Sequence, residues 1–175
     1  NFCNATDKIA ALFHEWMTAA GGLHLRKHAP YVATLFTTHA TVMGRCIAGN
    51  GLPLYNDLAK FNADELARQF NVVAKHSIEK MAATYHDAFL TVSDITANEC
   101  KYLLGREPDG ITPNGFENDF VWTGEEYDAK RAEARTAMIS VAEACLGHKF
   151  RKEPLIVGTS GRYEFRKKGL DVFIE

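Results

Sequence analysis

Short apolar runs alternate along this chain with segments of helical length, and that alternation limits the fold more than any other feature. Residues 9–13, 31–37, 88–92, 111–115 and 154–159 are brief and apolar, several of them rich in β-branched or aromatic side chains, and each reads as a strand, the first of them buried. Helical spacing fills the gaps. It runs over 16–26 and stops near Pro30, recurs briefly at 54–61, and is long at 71–86, where Val72, Val73, His76, Ile78, Met81 and Ala82 fall on nearby faces. Ser93 sits where an N-cap belongs, ahead of 95–104, and Gly147 closes a long helix over 125–146. The glycine-containing stretch 44–53 reads as a loop. Strand and helix in turn predict an α/β protein with a mainly parallel sheet.

The 175 residues have room for one domain with a core, or for one domain and the opening of a second. A net charge of −2 offers no basic excess for nucleic acid, and the longest apolar runs are far too short to span a membrane. Cys3, Cys46, Cys100 and Cys145 are widely spaced with no C-x-x-C, which argues against a disulfide framework or a zinc site and for reduced thiols in the cytoplasm. His24 and His28 share i,i+4 spacing but lack a third ligand, so no metal is expected. The first residue is Asn, and the last residues stop partway through an amphipathic segment, so the chain reads as a piece of something larger. A boundary is expected in the polar stretch 148–153, with a weaker seam at 115–124 where turn residues cluster.

Chemistry concentrates where strands give way to helices, the edge at which open α/β sheets bind ligands. After the first strand come His14, Glu15 and Trp16, an imidazole, a carboxylate and an indole; such a mixture suits a sugar, and reads equally as a helix start with Glu15 answering the dipole and Trp16 in the core. His39 follows the second strand, with Arg45 six residues on, and the two could converge on one anionic, hydroxylated ligand. Asn114 lies in a turn where it either contacts ligand or only shapes the backbone. Arg162 falls at the carboxyl end of the last expected strand and Lys168 near the first turn of the helix that follows. A cation at a helix start opposes the macrodipole and therefore calls for an anion, and this pair suits a phosphate or diphosphate. No G-x-S-x-G, Walker loop, H-E-x-x-H or D-x-D occurs.

Taken in order, the blocks FHEW (13–16), TTHAT-x-x-GR (37–45), YN (55–56), FN (61–62), the helix around His76 and Glu79, TVS-x-ITA-x-E (91–99), TPNG (112–115) and GRYEF-x-x-KG-x-D-x-F-x-E (161–175) resemble the glycogen synthases of the animal and fungal type. The resemblance covers nearly the whole chain and is weakest over 125–146. It implies a glycosyltransferase with two Rossmann-like domains facing across a cleft, the GT-B arrangement. Residues 1–150 would be the later part of the N-terminal domain with a linker helix, and 151–175 the start of the C-terminal nucleotide-binding domain. The implied reaction moves glucose from UDP-glucose to the non-reducing end of an α-1,4-glucan with retention and without cofactor or metal.

On the same resemblance, Arg162 and Lys168 hold the donor diphosphate, Arg45 faces the same phosphates, and His39 lies near the transferred glucose. His14, Glu15, Trp16 and Asn114 are implied as substrate contacts. The implied partners are a sugar nucleotide and an α-1,4-glucan, with no nucleic acid and no membrane; the setting is cytoplasmic, and exposed apolar faces are expected to favour a homo-oligomer. The family's upstream glycine-rich loop and downstream paired glutamates do not appear in these residues, so the chain alone is expected to be inactive. A non-catalytic module that binds sugar nucleotide or glucan is the alternative; UDP and ADP donors are not distinguished.

Overall fold

A computed structural model describes residues 4, 6–161 and 169–175. Two compact units are present. The first holds the described residues up to Asn114 together with those from Gly169 on; the second holds the described residues from Gly115 to Gly161.

The first unit is built on a four-stranded sheet, β1 (Ile9–His14), β2 (Val32–Thr38), β3 (Ala88–Thr91) and β4 (Gly110–Ile111), all parallel and in the order β1-β2-β3-β4. Parallel neighbours require crossovers, and helices supply them. α1 (Glu15–His28) joins β1 to β2. α2 (Val42–Gly49), α3 (Ala63–Gln69) and α4 (Val73–Tyr85) lie between β2 and β3. α5 (Asp94–Glu99) runs on into a π-helical turn, Cys100–Leu104, before β4. The α/β reading of the sequence is thereby met, as a Rossmann-like parallel sheet with helices.

Register explains the core. Phe13 lies opposite Phe36, and Phe36 opposite Phe89, so three aromatic rings share one face of the sheet. Ala19 of α1, Ala82 and Ala83 of α4, and Cys100 and Leu104 of the π turn close over them. Small residues on both helices let the backbones approach the rings. A second cluster joins Met43 and Ile47 of α2 to Leu54, Leu58, the alanines of α3 and Leu103. Burial of these side chains, at ~25 cal/mol per Å² of apolar surface, holds the helices on the sheet.

In the first unit the structure departs from the sequence reading at several points. β1 is not a buried strand: alternate residues face outward and Leu12 is 62 % exposed, because the helices that pack on Phe13 cover the opposite face of the strand. Residues 44–53 do not form a loop throughout, since α2 occupies Val42–Gly49, capped by Thr41, whose Oγ1 accepts from the Gly44 N–H at 2.9 Å. Only a 3₁₀ turn, Leu58–Lys60, forms within 54–61, and α3 follows where no element was expected. Val73 and Met81 lie away from the buried face of α4, which instead carries His76, Glu79, Ala82 and Ala83.

The second unit contains a 3₁₀ turn, Asn118–Phe120, and α6 (Gly124–Leu146), a helix with no buried residue. Gly147 ends it at φ 71°, a left-handed cap whose N–H returns to the Glu143 carbonyl, as the sequence suggests. Residues 154–159 form no strand. Leu155 is 89 % exposed and Val157 64 %, and no neighbouring strand among the described residues offers hydrogen bonds, without which an extended segment stays single. In the first unit, α7 (Leu170–Ile174) begins after Gly169, at φ 64°.

Candidate functional site

The carboxyl ends of β1 and β2 bring together most of the residues singled out by sequence. β1 ends at His14, and α1 starts at once with Glu15, whose φ of 64° places a non-glycine residue in the left-handed region. Such a backbone costs ~1–2 kcal/mol, and strain of this kind gathers at functional sites. The bend turns the carboxylate toward the end of β2, where Glu15 Oε1 accepts the backbone N–H of His39 at 2.9 Å. The two imidazoles then meet: His14 Nδ1 and His39 Nε2 are 3.2 Å apart, one donating and the other accepting.

Beside them opens a cleft of about 160 Å³, lined among others by Glu15, Trp16, Val42, Arg45, Val72 and Lys75. Trp16 is half-buried, and Lys75 Nζ stands 5.3 Å from its ring centroid, within cation–π range. Arg45 is exposed on the first turn and a half of α2. Neither Arg45 nor Lys75 joins an ion pair among the described residues. An aromatic face, one carboxylate and two cations outside any ion pair make a surface that can pack against a sugar ring, accept its hydroxyls and oppose an anionic group.

Two buried carboxylates stand behind the cleft. Glu79 of α4 accepts from Thr38 Oγ1 at 3.0 Å and from the Val42 N–H at 2.9 Å. Burial pushes its carboxyl up to about 7, and the charges of Glu15 and Glu99 act in the same direction against the lowering effect of those two hydrogen bonds. Glu99, at the end of α5, accepts from Thr41 Oγ1 at 2.8 Å and from the Tyr55 hydroxyl at 3.0 Å. Desolvation, with the Glu99 carboxylate beside it, raises the Tyr55 phenol. Burial also raises the Cys100 thiol, which makes it a poor nucleophile.

Of the residues named from sequence, His14, Glu15, Trp16, His39 and Arg45 are thus brought to one place. Asn114 is exposed beyond β4 and does not line the cleft. Arg162 and Lys168 lie outside the described residues. Ser93 is an N-cap, its Oγ accepting from the Thr96 N–H at 3.2 Å. Lys75, Tyr55, Glu79 and Glu99 join the site without having been read as ligand-facing. For Glu79 a signal exists: an acid spaced with His76 and Ala83 on the inward face of a helix is out of place unless something there needs it. Among the described residues no group of His, Cys, Asp and Glu is arranged to hold a metal ion, and no helix is long and apolar enough to cross a membrane.

A parallel sheet that gathers imidazoles, acids and cations at the carboxyl ends of its strands is the layout of a ligand-binding α/β protein. Comparison with known proteins narrows the class. The family profile described as Glycogen synthase matches residues 1–175. Glycogen [starch] synthase of Dictyostelium discoideum is 36% identical over 98% of this chain and 20% of its own length. The Neurospora crassa enzyme of that name is 36% identical over 95% of the chain and 24% of its own length. The human liver form is 33% identical over the same shares, 95% and 24%. The chain belongs to the glycogen synthase family, and it spans between a fifth and a quarter of the length of these relatives.

Proposed function

We propose that this chain is part of a glycogen synthase that transfers glucose from UDP-glucose to the non-reducing end of an α-1,4-glucan with retention. The observation that supports the reading best is the convergence of Trp16, Glu15, Arg45 and Lys75 on one cleft beside the His14–His39 pair, in a chain of this family. In this reading Trp16 packs on the C–H face of a sugar and Glu15 orients its hydroxyls. His39, tethered through its backbone to Glu15, presents its ring to the transferred glucose.

Leaving-group departure builds negative charge on the diphosphate, and fixed cations aimed at that charge lower the barrier. Arg45 supplies one from α2. Arg162 and Lys168 supply others from a facing nucleotide-binding domain that begins near residue 151, in a GT-B enzyme whose two domains close around the donor. Cations so placed do the work a metal ion does in other transferases, so the reaction is proposed to run without metal or cofactor. The setting is cytoplasmic, and the parent protein associates with itself through apolar faces. The chain by itself is proposed to be inactive, because the facing wall of the cleft is needed for the transition state.

The test is a transfer assay on the full-length protein with labelled UDP-glucose and a maltooligosaccharide. An α-1,4-extended product is expected, with and without chelator. Binding of UDP and glucan with no transfer under any condition would overturn the enzymatic reading in favour of a non-catalytic binding module.

A further inference from the structure

The turn between β2 and α2 is held from outside itself. Thr41 already caps α2 through the Gly44 N–H. Two further carboxylates nevertheless reach the turn and its flanks from other helices. Glu79, fully buried, takes the Thr38 hydroxyl and the Val42 N–H; Glu99, 5 % exposed, takes the Thr41 hydroxyl. Glu15 takes the His39 N–H from a third side. Three acids from three helices therefore fix Thr38, His39, Thr41 and Val42, leaving the turn little freedom. Burying carboxylates is costly, and a cap alone needs neither Glu79 nor Glu99. What the turn carries explains the expense: His39 lies within it, and Arg45 follows one helical turn after Thr41.

We propose that Glu79 and Glu99 are positioning residues for the transfer reaction, holding the β2–α2 turn so that His39 and Arg45 stand where donor sugar and diphosphate arrive. The proposal rests on the functional reading above. Glu79 acts with both oxygens as acceptors. The groups that bear on it by charge are Glu15 of α1 and Glu99 of α5, and its own charge in turn raises the Cys100 thiol on the π turn. A proton on Glu79 turns one acceptor into a donor, so the Thr38 hydroxyl must reverse while the Val42 N–H keeps its partner. Glutamine imitates that protonated state; alanine releases the turn.

Two measurements on the full-length protein decide the matter: hydrogen exchange over residues 38–45 by mass spectrometry, and the pH profile of kcat alongside KM for UDP-glucose. For Glu79→Ala, exchange over 38–45 is expected to rise at least tenfold, and kcat to fall by roughly 10²-fold with much less change in KM, the penalty of a misplaced reacting geometry. Glu79→Gln is expected to keep the turn protected, recover much of kcat and lose any inflection near neutral pH. Glu99→Gln tests the second contact in a variant that retains the side chain's volume. Unchanged exchange in all three, or kcat and pH profile unchanged within twofold, overturns the proposal. A wild-type protein that transfers no glucose overturns the functional reading instead, while the exchange data still decide whether the carboxylates hold the turn.

Discussion

Gly44 backs directly onto Glu99: a β-carbon at position 44 would stand 2.2 Å from Glu99 Oε2 and 2.7 Å from Thr41 Oγ1. In an exposed helix interior, alanine in place of glycine gains ~1 kcal/mol. Here the sign reverses. Gly44→Ala is expected to lower stability by ~1–3 kcal/mol through overpacking, read as a fall in Tm or urea midpoint. A gain in stability would mean that α2 and α5 lie further apart than described.

Glu79 makes stability depend on pH in an identifiable window. Its carboxyl is raised from 4.5 to about 7, so the folded state holds a proton that the unfolded chain gives up above 4.5. The resulting stabilisation is present at low pH and is lost as pH rises from 4.5 through about 7, a swing of roughly 3 kcal/mol. Burial lowers His76 and His86 from 6.5, and their contribution runs the other way, present above 6.5 and lost as pH falls below it through their lowered folded-state values. The difference between wild type and Glu79→Gln cancels the histidines. Urea midpoints at pH 5 and pH 8 are expected to favour the variant progressively toward the alkaline end; parallel profiles would remove Glu79 as the titrating group.

On the proposed function, Arg45 and Lys75 of the full-length protein divide the work of the cleft. Arg45→Ala is expected to reduce kcat/KM for UDP-glucose by ~10²–10³, the usual effect of deleting one donor that faces developing charge. Arg45→Lys is expected to recover only part, because an ammonium cannot reproduce a two-pronged contact. Lys75→Ala is expected to act mainly on KM, since the ammonium rests over Trp16 and shapes the binding surface. Near-normal steady-state kinetics in both alanine variants would remove the cleft from the mechanism.

Glu15 separates strain from function. Glu15→Gly relieves a left-handed backbone worth ~1 kcal/mol and removes a hydrogen bond worth about as much, so stability is expected to stay nearly level. Transfer activity is expected to fall, because His39 loses its tether. A stability loss well above ~2 kcal/mol would show that the backbone here carries no strain.

Local signals in the sequence marked the elements that local chemistry governs. Ser93 and Gly147 were readable as caps because a hydroxyl before a helix and a glycine after one act on their immediate neighbours. The strands ending at His14 and Thr38 were readable from apolar runs, and with them the placement of Glu15, Trp16, His39 and Arg45. Gly44 is ambiguous in the sequence, since a glycine demanded by a distant carboxylate looks the same as one that breaks a helix. Residues 154–159 have the composition of a strand, but a strand exists only with a neighbour. Glu79 meets Thr38 across 41 positions, and Lys75 reaches Trp16 only once α1 and α4 lie side by side. No pattern within a window of a few residues carries such information.

The strands stand in the sheet in the order in which they occur in the sequence. A nascent chain can therefore dock each of these four described strands on the one just finished, with no gap held open among them. Two of the three acidic anchors come later in that schedule than the turn they hold. Newly made His39 and Arg45 lack those two anchors until the segments bearing Glu79 and then Glu99 have been translated, so the binding edge is completed by residues made well after it.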